Sequence, residues 1–161
     1  MHEWDFMVKF KYGIFLIPLI FLSGCFWSDS SEQKVKLHII NVLPKELYDD
    51  CHIKGSEHVD YEDVEAKIAS MNPKDHYVIY CADYLCMSSQ HVAKMMIDRG
   101  FSNVWEYSGG IVEWYQKQYP VEGPCAEEYL TQDNEPLSGM QHEVPVITSE
   151  ELLEKIQEFE K

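Results

Sequence analysis

Between residues 35 and 120, short β-branched apolar runs alternate with segments of helical spacing, and this alternation leaves the chain few folds to adopt. Residues 35–43 carry Val35, Leu37, Ile39, Ile40 and Val42 and predict a buried strand, ended by Pro44 and followed by a helical turn over 45–48. Residues 51–59 read as a loop leading to a short strand. Val64 and Ile68, four apart, predict a helix over 61–70, and Asn72-Pro73-Lys74-Asp75 predicts a turn. A second strong strand follows over 76–81 with Val78 and Ile79. A helix over 89–99 carries Val92, Met95, Met96 and Ile97 and stops at Gly100. The unit closes with a strand over 104–107, a Gly109-Gly110 turn, a helix over 111–118 and Pro120. Strands separated by helices cannot pair as hairpins. They predict an α/β fold of three layers (α/β/α), with a central parallel sheet covered on both faces.

Residues 125–143 are polar, with Pro, Gly and Asn, and read as a long loop. A last helix begins at Thr148 or Ser149, where Thr148 and Glu151 make a capping box, and Leu152, Leu153, Ile156 and Phe159 line one face that is expected to fold back on the domain. The domain thus spans 35–123, with a C-terminal extension over 124–161 ending in a helix.

The first 25 residues read as an address. Residues 14–22 form an apolar run of nine, too short for a spanning helix of about 20 residues and suited to the hydrophobic part of a signal peptide. Leu22-Ser23-Gly24-Cys25 follows and resembles the bacterial lipobox at all four positions, so residues 1–24 are expected to be a lipoprotein signal peptide. Cys25 is then the lipidated N-terminus and residues 25–34 a tether. Each buried lipid methylene contributes about 0.8 kcal/mol, so several acyl chains anchor almost permanently. Glu3 and Asp5 sit where such leaders prefer positive charge, whereas Lys9 and Lys11 follow Met7, which points to translation from Met7. The expected place is the bacterial cell envelope, lipid-anchored on the extracytoplasmic (periplasmic) side.

Charge excludes a class of partners. The chain carries −15, and residues 1–24 hold two basic and two acidic residues, so the mature chain keeps that value. Such a surface repels nucleic acid and anionic headgroups. Contact with the membrane is expected through the lipid alone.

The chemistry points to Cys81. It lies at the C-terminal tip of a strand, before a loop and a helix, and ligands of parallel α/β sheets bind at that edge. The helix N-terminus and loop amides favour the anionic thiol, which is the nucleophile. Cys86, five residues on in the same loop, is placed to attack a persulfide or sulfenic acid on Cys81 and close a disulfide. Cys51 and Cys125 complete the cysteines of the mature domain. A resting disulfide among the four suits an oxidising compartment, and Cys51 with Cys125 is one pairing among several. His38, His58, His76, His91 and His142 show no metal-ligand spacing.

Three segments in register resemble the rhodanese (sulfurtransferase) family: Cys51-His52-Ile53-Lys54-Gly55-Ser56, Val78-Ile79-Tyr80-Cys81, and Gly109-Gly110-Ile111-Val112-Glu113-Trp114, with Tyr119-Pro120-Val121 at the usual end. The resemblance implies a rhodanese-like fold with Cys81 as the catalytic thiol, carrying transferred sulfur as a persulfide. It further implies an active-site loop of Ala82, Asp83, Tyr84, Leu85, Cys86, Met87, Ser88 and Ser89, whose amides cradle the anion, and a structural His52 that orders its own loop. A small sulfur donor or a protein thiol acceptor is the expected partner, and no metal or organic cofactor is expected.

The departures from the family pattern shape the expectation. Many members end the first strand in Asp-x-Arg, where this chain has Asn41-Val42-Leu43. The loop is two residues longer than usual and holds no Arg or Lys, its only charge being Asp83. A dianion such as thiosulfate is poorly held there, so a neutral or protein-borne donor is expected. Related phosphatases and arsenate reductases need an Arg where Met87 stands. Two alternatives accompany the sulfurtransferase reading: a thiol redox protein using Cys81 and Cys86, and a non-catalytic interaction module.

Overall fold

The computed structural model describes residues 34–136, 138, 139 and 141–161. The expected leader, Cys25 and the tether up to residue 33 lie outside the described residues.

Four parallel strands form the main sheet in the order β3-β1-β4-β5: β1 is Leu37–Asn41, β3 Glu57–His58, β4 His76–Tyr80 and β5 Val104–Tyr107. A small antiparallel pair, β2 (His52–Ile53) with β6 (Val121–Glu122), ties the first loop to the end of the domain. The helices are α1 (Lys45–Asp50), α2 (Val64–Ile68), α3 (Ser88–Asp98), α4 (Gly110–Gln116) and α5 (Ser149–Phe159). The strand expected over 35–43 is trimmed to five residues. The helix expected over 61–70 divides into a 3-10 turn, Tyr61–Asp63, and the short α2.

β4 is the centre of the sheet and of the core. Tyr77, Val78, Ile79 and Tyr80 are each at most 1% exposed, as a strand covered on both faces requires. On one face Tyr77 packs edge-on against Phe101, just beyond α3, and Arg99, which caps α3, pairs with Glu65 of α2 at 2.7 Å. On the other face Tyr107 packs against Trp114 of α4, Lys155 of α5 lies over Trp105, and Phe159 meets His76. The three layers expected from the alternation are present.

The extension is tied down along its length. Cys125 is disulfide-linked to Cys51, the Cα atoms 4.6 Å apart. The amide of Cys125 donates to the carbonyl of Asp50, and those of Ala126 and Glu127 to its carboxylate. Leu130, in a 3-10 turn (Glu128–Thr131) of the segment read as loop, is 1% exposed. Further on, Val146 bridges to Glu106, with Glu106 N donating to Pro145 O and Ile147 N to Glu106 O, both at 2.9 Å. The extension thereby covers the open edge of β5, which would otherwise present unpaired amides and carbonyls. At α5 the capping box forms as expected, with Glu151 N donating to Thr148 Oγ1 and Thr148 N to Glu151 Oε2. Its apolar face turns inward, with Leu152 fully buried. Among the described residues no helix is long and apolar enough to cross a membrane.

Candidate active site

Cys81 follows β4 directly and is 1% exposed. Its carbonyl and that of Ala82 accept from the amides of Ile111 and Val112, each at 3.0 Å, so the start of α4 fixes the backbone on which the thiol stands. That approach requires glycine at position 110. Gly110 has φ +62°, and any side chain there would run into the Ala82 carbonyl. This gives the second glycine of the Gly109-Gly110 pair a physical reason.

The first motif is anchored to the same strand. Tyr80, one residue before Cys81, turns its buried hydroxyl toward residues 53–56, accepting from Ile53 N at 3.1 Å and lying 2.9 Å from Ser56 Oγ. Burial pushes this phenol well above its ordinary pKa, so it stays a neutral hydrogen-bonding post. His52 Nδ1 donates to the Tyr48 carbonyl at 2.7 Å, and its ring stacks on Tyr48 at 3.9 Å. It orders the loop, the role the resemblance implies. Asn41 stands fully buried at the end of β1, where its Oδ1 accepts from Leu43 N at 2.9 Å. It turns the chain in place of the family's charged pair.

The loop from Ala82 to Met87 is held from within. The Asp83 carboxylate accepts from Leu85 N at 2.9 Å and Cys86 N at 3.1 Å, an Asx turn. Tyr84 N donates to Asn134 Oδ1 at 3.2 Å, and Asn134 Nδ2 donates to Gly109 O at 2.9 Å. The amides of Tyr84, Leu85 and Cys86 are thus spoken for by side chains. Ser89, in the first turn of α3, places that helix start beside the sulfur, its Oγ 3.5 Å from Cys81 Sγ.

Cys81 and Cys86 are joined as a disulfide in this structure, their Cα atoms 6.3 Å apart. Cys86 is half-buried, and its neighbours Leu85 (68%) and Met87 (51%) form an exposed apolar rim. Met87 and Ser88 also border a cleft of about 730 Å³ along α3, which Tyr61 also lines. No basic side chain is in the loop itself. Lys94 and Arg99 on the cleft are paired with Asp98 and Glu65. Among the described residues no group of three or more His, Cys, Asp or Glu could hold a metal ion.

Two residues near the site were not singled out from sequence. Glu106 stands in β5 and is only 3% exposed, with Ser89 Oγ donating to its Oε1 at 3.0 Å. The available signal was a charged residue in the middle of an apolar strand. Asn134 sits in the polar extension, where no periodicity marks one residue above its neighbours.

Comparison with known proteins agrees with this geometry. The model of the Rhodanese-like domain family matches residues 26–117. This chain belongs to that family. It is 32% identical over 89 residues to the thiosulfate sulfurtransferase GlpE of Pseudomonas paraeruginosa, covering 55% of this chain and 78% of the relative. To the protein of the same name from Pseudomonas aeruginosa it is 36% identical over 76 residues, covering 47% and 66%. Among solved structures, the Alr3790 protein of Anabaena sp. superposes with a TM-score of 0.50 at 25% identity, over 54% of this chain and 67% of that one. The sulfurtransferase family and the rhodanese-like α/β fold with its central parallel sheet follow from these likenesses, and the C-terminal helix is seen in the structure itself.

Proposed function

We propose that the protein is a lipid-anchored sulfurtransferase of the bacterial cell envelope that carries sulfur as a persulfide on Cys81. The supporting observation is the placement of Cys81 at the C-terminal tip of β4 with the first turn of α3 beside its sulfur. In the transfer, the Cys81 thiolate attacks the outer sulfur of a donor, an S–S bond forms, and the remainder of the donor leaves with the bonding pair. A second nucleophile then takes the sulfur and returns the thiolate. With Tyr84, Leu85 and Cys86 amides engaged, the amides at the start of α3 fall to stabilising the anion. The curated relatives are named for thiosulfate. In this chain the loop bears only Asp83 as charge and is rimmed by Leu85 and Met87, which favours a neutral or protein-borne donor. Cys25, outside the described residues, would supply the anchor.

The Cys81–Cys86 disulfide favours a second reading, a thiol redox protein cycling between the dithiol and this bond. One experiment separates the two. The mature chain from Cys25 is purified in detergent, reduced, and mixed with a persulfidated protein, mercaptopyruvate or thiosulfate, and the Cys81 peptide is weighed. One added sulfur, absent in Cys81→Ser, retained in Cys86→Ser and removable by cyanide, supports transfer, with a larger yield expected from mercaptopyruvate than from thiosulfate. No added sulfur in any sample, with re-formation of Cys81–Cys86 under mild oxidant, refutes transfer and supports the redox reading.

A further inference from the structure

Glu106 is a buried carboxylate that the fold does not need. Strand β5 is otherwise Val104, Trp105 and Tyr107, and an apolar side chain would pack at position 106 without desolvating a charge. Glu106 is nevertheless only 3% exposed and incompletely satisfied. Oε1 accepts from Ser89 Oγ at 3.0 Å, while Oε2 is buried without a hydrogen-bond partner. A buried polar atom left in this state marks either a defect or a use.

The direction of the hydrogen bonds indicates the use. The Ser89 hydroxyl donates to Glu106 Oε1, so its single proton points at the carboxylate. The lone pairs of Ser89 Oγ are left to face Cys81 Sγ, 3.5 Å away. In the reduced protein the Cys81 S–H therefore meets an acceptor whose own proton already lies on the path to a carboxylate. The Cys86 carbonyl, 3.1 Å from the same sulfur, is the competing acceptor, and it has nowhere to pass a proton. On its far side Glu106 faces the extension, where His142 Nδ1 stands 3.6 Å from Oε2 and its side chain is 34% exposed. Ser89 of α3 and His142 of the extension face this carboxylate.

We infer that Glu106 is the proton store of Cys81, charged and discharged through Ser89, with His142 as its outlet to solvent. When the thiol ionises, the S–H bond breaks, its proton moves to Ser89 Oγ, and the Ser89 hydroxyl proton moves to Glu106 Oε1. The products are a thiolate and a neutral carboxylic acid, and total charge is conserved. When an incoming thiolate attacks Cys86 or a persulfide sulfur, Cys81 leaves as thiolate and takes the proton back along the same route. The relay supplies what a basic residue in the loop would otherwise supply, a means of forming an anion in a buried, acidic neighbourhood. Glu106 acts through Ser89 and is a positioning residue.

This inference rests on Cys81 as the reacting thiol, yet its test needs no sulfur donor, so a failed transfer assay and a failed relay are distinguishable. The full chain carrying Cys86→Ser is treated with iodoacetamide across the pH range, and the rate is read on the Cys81 peptide by mass spectrometry. A thiol and a carboxylate that share one proton titrate as a pair, so the rate is expected to rise in two steps separated by a plateau. Glu106→Gln keeps the shape and is expected to abolish the plateau, leaving one step. Where that variant does not fold, the partly exposed His142→Gln takes its place. Loss of the imidazole beside Oε2 is expected to move the lower step. A single step in the parent, or a profile unchanged by the variant, overturns the relay.

Discussion

The two disulfides of this molecule are built for opposite ends. Cys51–Cys125 joins residues 74 apart, and its surroundings are locked. Asp50 takes three amides of the following segment, and Gly123 at φ +105° lies so close to the Asp50 carbonyl that a side chain would not fit. Cys81–Cys86 joins residues five apart in a loop with an exposed apolar rim. Its two sulfurs are unequal. Cys86 is half-buried and open to attack, whereas Cys81 lies beneath it at 1% exposure. In thiol exchange the incoming thiolate must reach one sulfur and expel the other. Here the reachable sulfur is Cys86 and the leaving one is Cys81, the sulfur with Ser89 and Glu106 behind it. One bond is placed as a staple; on the redox reading the other would be a switch.

The largest effect expected from this contrast is on stability. By the chain-entropy account, a cross-link over 74 residues stabilises by about 4 kcal/mol and one over five residues by about 2 kcal/mol. Cys125→Ser is therefore expected to lower the urea midpoint far more than Cys86→Ser, and to detach the segment that carries Leu130 and Asn134. Equal losses in the two variants would show that the short bond is structural and would undo the distinction between staple and switch.

How much of this was legible in the sequence depends on what kind of signal each residue leaves. β4 was readable as a short apolar run with the β-branched pair Val78 and Ile79, and α3 because its apolar residues recur at helical spacing. The reading of Cys81 as the reacting thiol rested on a topological rule that places ligands at strand ends. The trimmed bounds of β1 and α2 were not, since a 3-10 turn and the first residues of an α-helix share composition. The Cys51–Cys125 pairing was left open because connectivity is a fact about distance. Glu106 escaped for the same reason. Its meaning depends on Ser89, 17 residues away, and on His142, 36 residues away, and neither spacing belongs to any local repeat. Asn134 was hidden inside a stretch of polar residues, all of which look alike until two of its hydrogen bonds are seen to land on the site loop.

Asn134 offers the next sharpening, of intermediate size. It is the strut between the extension and the switch, with one bond to Tyr84 and one to Gly109. Each hydrogen bond contributes about 1 kcal/mol net, so Asn134→Ala is expected to cost about 2 kcal/mol. The more telling result is selective. Reduction by dithiothreitol, followed by differential alkylation and peptide mass mapping, should show Cys81–Cys86 opening faster in the variant and Cys51–Cys125 at its parental rate. If both bonds quicken together, Asn134 supports the whole extension and not the loop in particular.

The smallest effect concerns the other end of the extension, where α5 is tied to α4 by charge. Lys117 donates to Ser149 Oγ and Glu150 Oε1, both at 2.7 Å, and holds the Glu150 carboxyl down to about 2 from an ordinary value of 4.5. The sign follows from which form the fold prefers. A carboxyl with a depressed value in the native state favours the ionised form there, so its contribution is fully present above pH 4.5 and is lost as pH falls toward about 2. Glu150 is fully exposed, and solvent and salt screen such a pair. Glu150→Gln is thus expected to lower the denaturation midpoint only slightly at neutral pH, and the gap between variant and parent should close on acidification and shrink in high salt. A gap independent of both would mean that Glu150 acts through packing. The capping box and the buried Leu152 would then carry α5 without help from charge, leaving the covalent link at Cys125 and the strand bridge at Val146 as the ties that hold the extension over the site.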